Sequence, residues 1–288
     1  MRIHVVIIMV LVSGLAKGQT VNLYPESYAS YFYNFALINP AHVSREGKAE
    51  FVGGFKQRTG PFRKVSTYSV TAEKVFRNEN EAAHTMRLVF FNEREGPYIQ
   101  RPRASFNYAY MLPVYDDTYL MAGASFGFAQ VSFTAPTATG AGSSVFPDAN
   151  LGLILRRKAL SAGVASFQVL NAESSPVAGN LRLNRYYTYF ISAELDVSPD
   201  LKLTTYSLYR ALSEYPDDFD IAAMATVREL FSFGSIARIN RGLSFLISVQ
   251  PDSGDNKPLF SFLYNSPFMS QTPQWFNSFE LVIGYRFN

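Results

Sequence analysis

The last segment of the chain alternates between apolar and polar side chains with a period of two residues. Residues 279–288 place only apolar side chains at one set of positions and both charges at the other. The apolar set is Phe279, Leu281, Ile283, Tyr285 and Phe287, and the set between them is Glu280, Val282, Gly284 and Arg286. Because successive side chains of a strand point to opposite faces, the pattern predicts a strand with one wholly apolar face. A soluble sheet packed on a core would show the same pattern.

Similar alternation recurs along most of the chain, with turn residues between the segments. The predicted strands are residues 48–58, 64–76, 85–93, 101–112, 118–131, 149–157, 160–170, 181–195, 202–212, 219–227, 230–239, 242–250, 258–265 and 276–288. These are about fourteen strands, and an even number is typical of single-chain bacterial outer-membrane barrels. Asp116-Asp117 and residues 171–179 and 252–256 carry the Asp, Asn and Gly expected of turns in water.

The strands are expected to close on themselves. Backbone amides in hydrocarbon have no water to bond, so an open sheet edge would cost several kcal/mol per unpaired group. The final strand is therefore expected to pair with an early one. The sequence predicts an all-β fold, a single closed antiparallel transmembrane β-barrel of about 14 strands over residues 19–288. A β-sandwich or a soluble repeat of strands is the alternative.

The first residues have the pattern of an export signal. Arg2 and His4 precede an apolar run at 5–12, and small residues follow at Ala16 and Gly18. This predicts a signal peptide at residues 1–18, cleaved after Gly18. An N-terminal membrane anchor is disfavoured, because the run is too short to cross about 30 Å of hydrocarbon. The chain has no cysteine, which excludes a lipoprotein anchor, disulfides and thiolate metal sites.

Composition narrows the class of protein. The chain is 48% hydrophobic and 15% aromatic, and its 17% of charged residues lies below the roughly 25% of ordinary globular proteins. No segment after the signal approaches the roughly 20 continuous apolar residues of a membrane helix. Apolar content spread over alternating strands suits a barrel wall that faces lipid, with aromatic girdles. The net charge falls from +3 to +1 when Arg2 and Lys17 leave with the signal, so nothing electrostatic favours nucleic acid.

Few residues are candidates for catalysis. The histidines after the signal are His42 and His84, each beside a predicted loop, and Ser44 is the nearest possible nucleophile. Their spacing matches no nucleophile motif, so a solvent-facing loop histidine is the favoured interpretation. A lumenal or surface hydrolase that uses His42 and Ser44 is the weakest alternative. Two histidines without cysteine do not predict a structural zinc site.

Loops rich in acidic or small residues predict no cofactor. Residues 216–220 and 252–255 lack the spaced oxygen ligands of a calcium loop, so turn solvation is the preferred interpretation. Residues 140–144 have no following lysine and no strand-to-helix context, which argues against a phosphate-binding loop. No metal or cofactor site is predicted.

An aromatic segment precedes the first strand, within residues 19–45. Residues 24–38 lack clean alternation and are dense in rings: Tyr24, Tyr28, Tyr31, Phe32, Tyr33 and Phe35. The segment is expected either to enter the lumen or to pack beneath the wall at the interface. A barrel of this size is wide enough to leave an interior space. A filled lumen would argue against a general diffusion pore.

Five short motifs stand in order along the chain. They are Asn34-Phe35-Ala36-Leu37-Ile38-Asn39-Pro40-Ala41, Phe90-Phe91-Asn92-Glu93-Arg94-Glu95-Gly96-Pro97, Tyr108-Ala109-Tyr110, Pro147-Asp148-Ala149-Asn150-Leu151-Gly152 and Ser278-Phe279-Glu280. Through them the chain resembles the PorP/SprF family of outer-membrane proteins, which are associated with type IX secretion and gliding motility. It departs from the family pattern at Ser44, where glycine is usual, at Glu93 for Asp and at Phe279 for His, and it ends on Asn288 beyond the last aromatic.

The resemblance implies a non-enzymatic barrel in the cell outer membrane that supports type IX secretion. Its implied partners are outer-membrane lipid, a secreted type IX cargo protein such as an adhesin, and periplasmic secretion or motility components. The expected motif residues are Asn39, Pro40, Ala41, Gly96, Pro97, Asp148, Asn150, Ser278, Glu280 and Phe287. Turn chemistry and lumenal hydrogen bonding explain them as well as partner contact does. A channel or transporter for small or hydrophobic molecules is the alternative function.

Overall fold

A computed structural model describes residues 20–22, 28–44, 48–134, 141–177, 179–239, 241–251, 254, 256–267 and 277–287. The predicted signal peptide lies outside the described residues, as do Tyr24, Asn288 and most of the acidic turn at 252–255. No helix in the described part of the chain is long and apolar enough to span a bilayer.

The regular structure consists almost entirely of strands, numbered in chain order. They are β1 Thr20–Asn22, β2 Ala49–Arg58, β3 Ser66–Arg77, β4 Ala83–Glu95, β5 Ile99–Tyr115, β6 Thr118–Phe133, β7 Gly142–Arg157, β8 Leu160–Phe167, β9 Glu173–Val177, β10 Gly179–Arg182, β11 Tyr186–Ser198, β12 Leu201–Leu212, β13 Asp218–Val227, β14 Phe231–Arg238, β15 Gly242–Val249, β16 Asn256–Pro267 and β17 Ser278–Phe287. Short 3₁₀ helices occupy Ser30–Phe32, Phe35–Leu37 and Gly60–Phe62.

Fourteen of these strands, β2–β8 and β11–β17, form one closed barrel. Each pairs antiparallel with its neighbours in sequence order, and β8 pairs with β11. The seam joins β17 to β2, with Ser278 opposite Arg58 and Phe287 opposite Ala49. The predicted fold, the strand number and the pairing of the final strand with an early one are confirmed. The remaining strands form a small sheet in the order β1-β10-β9.

The two ends of the barrel differ in their connections. At one end, which we call the short-turn end, strands are joined by turns such as Asp116-Asp117 between β5 and β6. The other end, which we call the long-loop end, carries longer connections such as those from β2 to β3 and from β8 to β11. The predicted turn at Asp116-Asp117 is confirmed, and Asp117 there has a φ of 54°, a left-handed conformation that Asp tolerates.

Alternation along each strand separates an apolar outer face from a packed interior. Ile283 is 62% exposed on the outside, whereas the neighbouring Val282 is 2% exposed inside. The faces predicted for the final strand are therefore the observed ones. Near the short-turn end Phe287 lies on the outer face, with its ring centroid 4.7 Å from that of Tyr285 and 6.2 Å from that of Phe51.

Strand prediction was wrong where the chain folds back into the barrel mouth. The expected turn at 171–179 contains β9, and the expected strand at 181–195 is divided between β10 and β11. Leu181 and Leu183 are buried against Val131 and Phe146 of the inner wall, so this hairpin is held by packing that is distant in sequence. Strand β7 also begins at Gly142, within the expected loop at 140–144.

Candidate functional site

The lumen of the barrel is occupied by the chain's own residues 28–44, which we call the lumenal segment. Its contacts descend from the long-loop end to the short-turn end. Midway, Asn34 Nδ2 donates to Thr71 Oγ1 at 2.6 Å. At the short-turn end, Arg77 donates to the carbonyl of Ser44 at 2.6 Å. The barrel is therefore filled along its length by a segment that leads directly into its first wall strand.

Asn39 fixes the centre of the lumenal segment. The side chain is fully buried, and Nδ2 donates to the carbonyls of Leu153 and Val164, both at 3.2 Å. Its Oδ1 accepts from the N–H of Ala41 at 2.9 Å. The side-chain amide of Asn39 thus bonds to two wall strands, β7 and β8, and stabilises the turn that contains Pro40. This is the geometry behind the Asn39-Pro40-Ala41 motif.

Glycines of the wall let this turn approach closely. A Cβ at Gly152 would overlap Asn39 Oδ1 and stand 2.9 Å from Pro40 Cδ. A Cβ at Gly123 would stand 2.6 Å from Ala41 Cα. Any larger residue at these two positions must push the turn away from the wall.

Replacing Gly152 with alanine is expected to destabilise the barrel by about 1–3 kcal/mol, because the added methyl group overpacks the contact between the wall and the turn at Asn39 and Pro40. Urea unfolding of the protein in detergent measures the change. Gly53→Ala is the matched control, since a Cβ there would meet nothing closer than 3.8 Å. Equal stability of the two variants would show that the turn does not depend on this close approach.

A buried ion pair anchors the lower part of the lumenal segment. Arg87 is 1% exposed, and its guanidinium bonds Glu73 at 2.5 Å and Asn107 Oδ1 at 2.6 Å. The same guanidinium donates to the carbonyl of His42 at 2.9 Å. Asn107 Nδ2 in turn donates to the carbonyl of Pro40 at 3.0 Å. Three wall strands therefore hold the segment through one connected network.

The upper part of the lumenal segment is held by Glu280 of the closing strand. Its carboxylate accepts from the backbone N–H groups of Ala29 and Ser30 at 3.0–3.2 Å. Lys56 Nζ lies 3.4 Å from the same carboxylate, and Asn265 Nδ2 donates to it at 3.1 Å. The seam of the barrel and the lumenal segment therefore share one buried carboxylate.

The other expected motif residues divide between the interior and the turns. Asp148 is buried 3.4 Å from the guanidinium of Arg103. Asn150 donates to Ser125 at 2.7 Å and accepts from the N–H of Gln168 at 2.8 Å. Both lie on the inner wall, and Asn150 lines the same cavity as Pro40 of the Asn39 turn.

Ser278, Gly96 and Pro97 lie at the long-loop end. Ser278 accepts from Asn265 at 3.1 Å. Gly96 has a φ of +71° in the turn between β4 and β5, and the carbonyl of Pro97 accepts from Thr134 at 3.3 Å. The positive φ explains the glycine, because other residues are strained there.

The histidines do not lie in solvent-facing loops. His42 is in the lumenal segment, with its ring centroid 5.1 Å from that of Phe35. His84 is on β4, and its Nδ1 lies 2.6 Å from the hydroxyl of Tyr108. Within the described residues, no group of three or more His, Cys, Asp or Glu side chains is arranged to hold a metal.

Charged residues gather at the long-loop end of β12–β15. Asp218 pairs with Arg210 and Arg241, and Asp220 pairs with Arg210 at 3.3 Å. In the adjoining loop, the hydroxyl of Tyr209 and the N–H of Leu212 donate to Asp217, and these bonds hold the pKa of that carboxyl below its ordinary value. Sequence reasoning singled out none of the arginines here, nor Arg87. Arg87 and Arg210 stand at inward positions of strands, whereas Arg241 lies in the turn between β14 and β15.

Cavities lie beside the lumenal segment in the part of the chain that the structure describes, and two of them differ in their lining. One, of about 280 Å³, lies at the short-turn end, and its charged lining residues are Glu50, Arg156, Glu194, Lys202, Glu229, Lys257 and Arg286. The other, of about 70 Å³, lies between the segment and the inner wall, and its lining includes Tyr28, Phe91, Phe167 and Tyr186. The lumenal segment occupies the centre of the barrel, so neither of these two cavities is an open passage as wide as the barrel.

The protein is a closed antiparallel cylinder with an apolar exterior, and the lumenal segment fills its interior. These features define a class, the plugged outer-membrane β-barrel. The sequence matches the family model "Type IX secretion system membrane protein PorP/SprF" over residues 20–285. The chain belongs to this family, as its motifs predicted, and its location is the outer membrane. Short turns of such barrels face the periplasm and longer loops face outward, which orients the two ends.

Solved structures share the fold at low identity. The Ralstonia pickettii toluene transporter TbuX matches with a TM-score of 0.56 and 13% identity over 87% of this chain and 92% of that chain. A Pseudomonas aeruginosa FadL homologue gives 0.55 and 8% over 83% and 89%, respectively. The Pseudomonas putida toluene transporter TodX gives 0.54 and 9% over 95% and 96%. No curated protein matches the sequence.

Proposed function

We propose that this barrel supports type IX secretion by delivering a cargo protein, such as an adhesin, to the cell surface or anchoring it there. The observation that carries the proposal is the lumenal segment, which is bonded to wall strands on opposite sides of the barrel. A barrel filled in this way is unsuited to general diffusion. Its long loops outside and its short-turn end inside remain available to cargo and to periplasmic components. The protein acts without catalysis.

Deleting the gene is expected to remove one large adhesin or other cargo from the cell surface, while uptake of small solutes stays unchanged. Quantitative proteomics of the shaved cell surface measures the first effect, and antibiotic or dye uptake measures the second. Re-expression of the wild-type barrel is the control and restores the cargo. An unchanged surface proteome would contradict the proposal.

Transport of small hydrophobic molecules is the second candidate function. The cavity of about 70 Å³ supports it, because aromatic rings line it and Tyr28 and Phe91 pack edge to face at 5.4 Å. The fold shared with two toluene transporters agrees with this. Saturable toluene uptake by proteoliposomes, abolished by the cavity-filling Leu37→Trp but not by Leu160→Trp on the outer wall, would favour transport over cargo delivery.

A further inference from the structure

The outer wall near the short-turn end carries polar side chains that include both tyrosines of the Tyr108-Ala109-Tyr110 motif. Ala109 is fully buried and Tyr108 is 40% exposed, so the alternation turns both tyrosines outward on β5. The ring centroid of His84 on β4 lies 4.7 Å from that of Tyr110 and 6.0 Å from that of Tyr108. Its Nδ1 lies 2.6 Å from the Tyr108 hydroxyl. This motif therefore serves the lipid-facing surface rather than the lumen.

Lys74 of β3 lies on the other side of His84. The register pairs Phe76 with His84 and Lys74 with Met86, so Lys74 and His84 are diagonal neighbours about 7–8 Å apart, within reach of a lysine side chain. Lys74 Nζ lies 5.0 Å from the ring centroid of Phe76. Because Phe76 is the next outward residue towards the short-turn end, the ammonium group is directed towards the edge of the hydrocarbon. These side chains form what we call the outer polar cluster: Lys74, His84, Tyr108 and Tyr110.

The outer polar cluster lies at the depth of lipid headgroups in the periplasmic leaflet. β3 ends one residue after Phe76 and β4 begins one residue before His84, so the cluster borders a short turn. Lys74 lies opposite Ala49, and Ala49 lies opposite Phe287 across the seam, among the aromatic residues of this end. Such aromatic bands mark the membrane interface of barrels. A molecule bound here contacts the headgroup and hydrocarbon regions together.

The polar atoms of the cluster that have no protein partner are suited to donate hydrogen bonds. His84 makes its hydrogen bond through Nδ1, and Lys74 and Tyr110 make none with the residues that the structure describes. When the Tyr108 hydroxyl donates to Nδ1, Nε2 of the neutral ring carries the hydrogen and becomes a donor. The cluster therefore presents an ammonium group, an imidazole N–H and a phenolic hydroxyl to an acceptor.

Carboxylates of the protein do not supply that acceptor. β3, β4 and β5 carry no carboxylate at their outward positions. In the turn between β3 and β4, Glu81 accepts from the Tyr119 hydroxyl at 2.6 Å, and Tyr119 packs against the interior. Among the described residues, neither Glu79 nor Glu81 forms an ion pair with Lys74. The acceptor is therefore expected to come from outside the chain.

We propose that the outer polar cluster binds the phosphate of a phospholipid in the periplasmic leaflet. The Lys74 ammonium group donates charge-assisted hydrogen bonds to phosphate oxygens, and His84 Nε2 and the Tyr110 hydroxyl add two further donors. Phe76 and Met86, which are 42% and 45% exposed, offer apolar surface to the acyl chains. Because the cluster lies on the lipid-facing wall, the phosphate that reaches it is that of a lipid headgroup. This inference goes beyond the proposed function and does not depend on it.

Native mass spectrometry of the purified barrel in nonionic detergent, titrated with phosphatidylglycerol, tests the proposal. One saturable lipid adduct is expected, and diacylglycerol with the same acyl chains, which lacks the phosphate, is expected to bind at least about tenfold more weakly. Lys74→Gln and His84→Gln are each expected to weaken phosphatidylglycerol binding about tenfold, because each removes a charge-assisted hydrogen bond. The matched control is Lys64→Gln, which removes the same charge from an exposed position at the long-loop end and leaves the affinity unchanged.

A conservative variant tests the tyrosine hydroxyl without removing its ring. Tyr110→Phe keeps the ring contact with His84 and is expected to weaken phosphatidylglycerol binding about fivefold, the value of one neutral hydrogen bond. Tyr264→Phe is its control, since Tyr264 is an outward tyrosine of β16 that is 38% exposed and lies outside the cluster. The proposal is wrong if wild type shows no saturable adduct, if diacylglycerol binds as tightly, or if any of the three cluster variants binds like its control.

Discussion

Replacing Arg87 with methionine is expected to lower the free energy of unfolding by about 3–5 kcal/mol, the usual cost of breaking a buried ion pair. The substitution strands Glu73 as an uncompensated charge and removes the donor to the carbonyl of His42. Both the wall and the lumenal segment therefore loosen together. Equilibrium urea unfolding in lipid vesicles measures the loss.

Two further variants separate the buried charge from the lost packing. The double variant Arg87→Met with Glu73→Met is expected to recover much of the loss, because replacing both partners by apolar groups removes the stranded charge. Arg228→Met is the matched control, since the Arg228–Asp200 pair is exposed on both sides, 75% and 68%, and contributes at most about 1 kcal/mol. A loss at Arg228 as large as at Arg87 would contradict the assignment of a special role to the buried network.

Replacing Ile283 with arginine is expected to cost about 2–4 kcal/mol, because the side chain lies on the lipid face near the middle of β17. Folding of the variant into vesicles of defined thickness, followed by urea titration, measures the cost. Thinner bilayers are expected to reduce it, since the charge then lies closer to the interface.

The control for Ile283→Arg must place its arginine in a water-filled space, because an inward position alone can be packed with apolar side chains. Alternation alone predicts that Val282→Arg is tolerated better than Ile283→Arg, because Val282 faces the interior. The structure revises this, because Val282 is 2% exposed and belongs to an apolar cluster with Leu246 and Leu263. Thr226→Arg, which reaches the cavity at the short-turn end, is the suitable control and should cost less. Equal costs at Ile283 and Thr226 would undermine the assignment of the lipid face.

The barrel wall could be predicted because its signal is local. Whether Ile283 or Val282 faces lipid depends only on the period of two residues within one strand. The closure of the sheet follows from the need to satisfy every backbone amide in hydrocarbon. The hairpin of β9 and β10 could not be predicted in this way, because Leu181 is buried by Phe146 from another part of the chain.

The interior was predicted as a set of motif residues but not as an arrangement. Asn39 and Glu280 were expected from the family resemblance, yet their partners are backbone groups at sequence separations of 114 and 251 residues. Arg87 belongs to none of the five motifs. Its ion pair could not be predicted, because the pair depends on which residue of the neighbouring strand faces Arg87. Glu73 and Arg87 face each other directly between β3 and β4. Such pairs are invisible until strand register is known.

The course of the lumenal segment constrains the order of assembly. A segment that runs the length of a finished ring would have to be pulled through it end to end. Late pairing of β17 with β2 avoids this, because the barrel then closes around a lumenal segment that is already in place. Glu280 lies on the closing strand β17 and accepts hydrogen bonds from the N–H groups of Ala29 and Ser30. It therefore couples barrel closure to the presence of the lumenal segment.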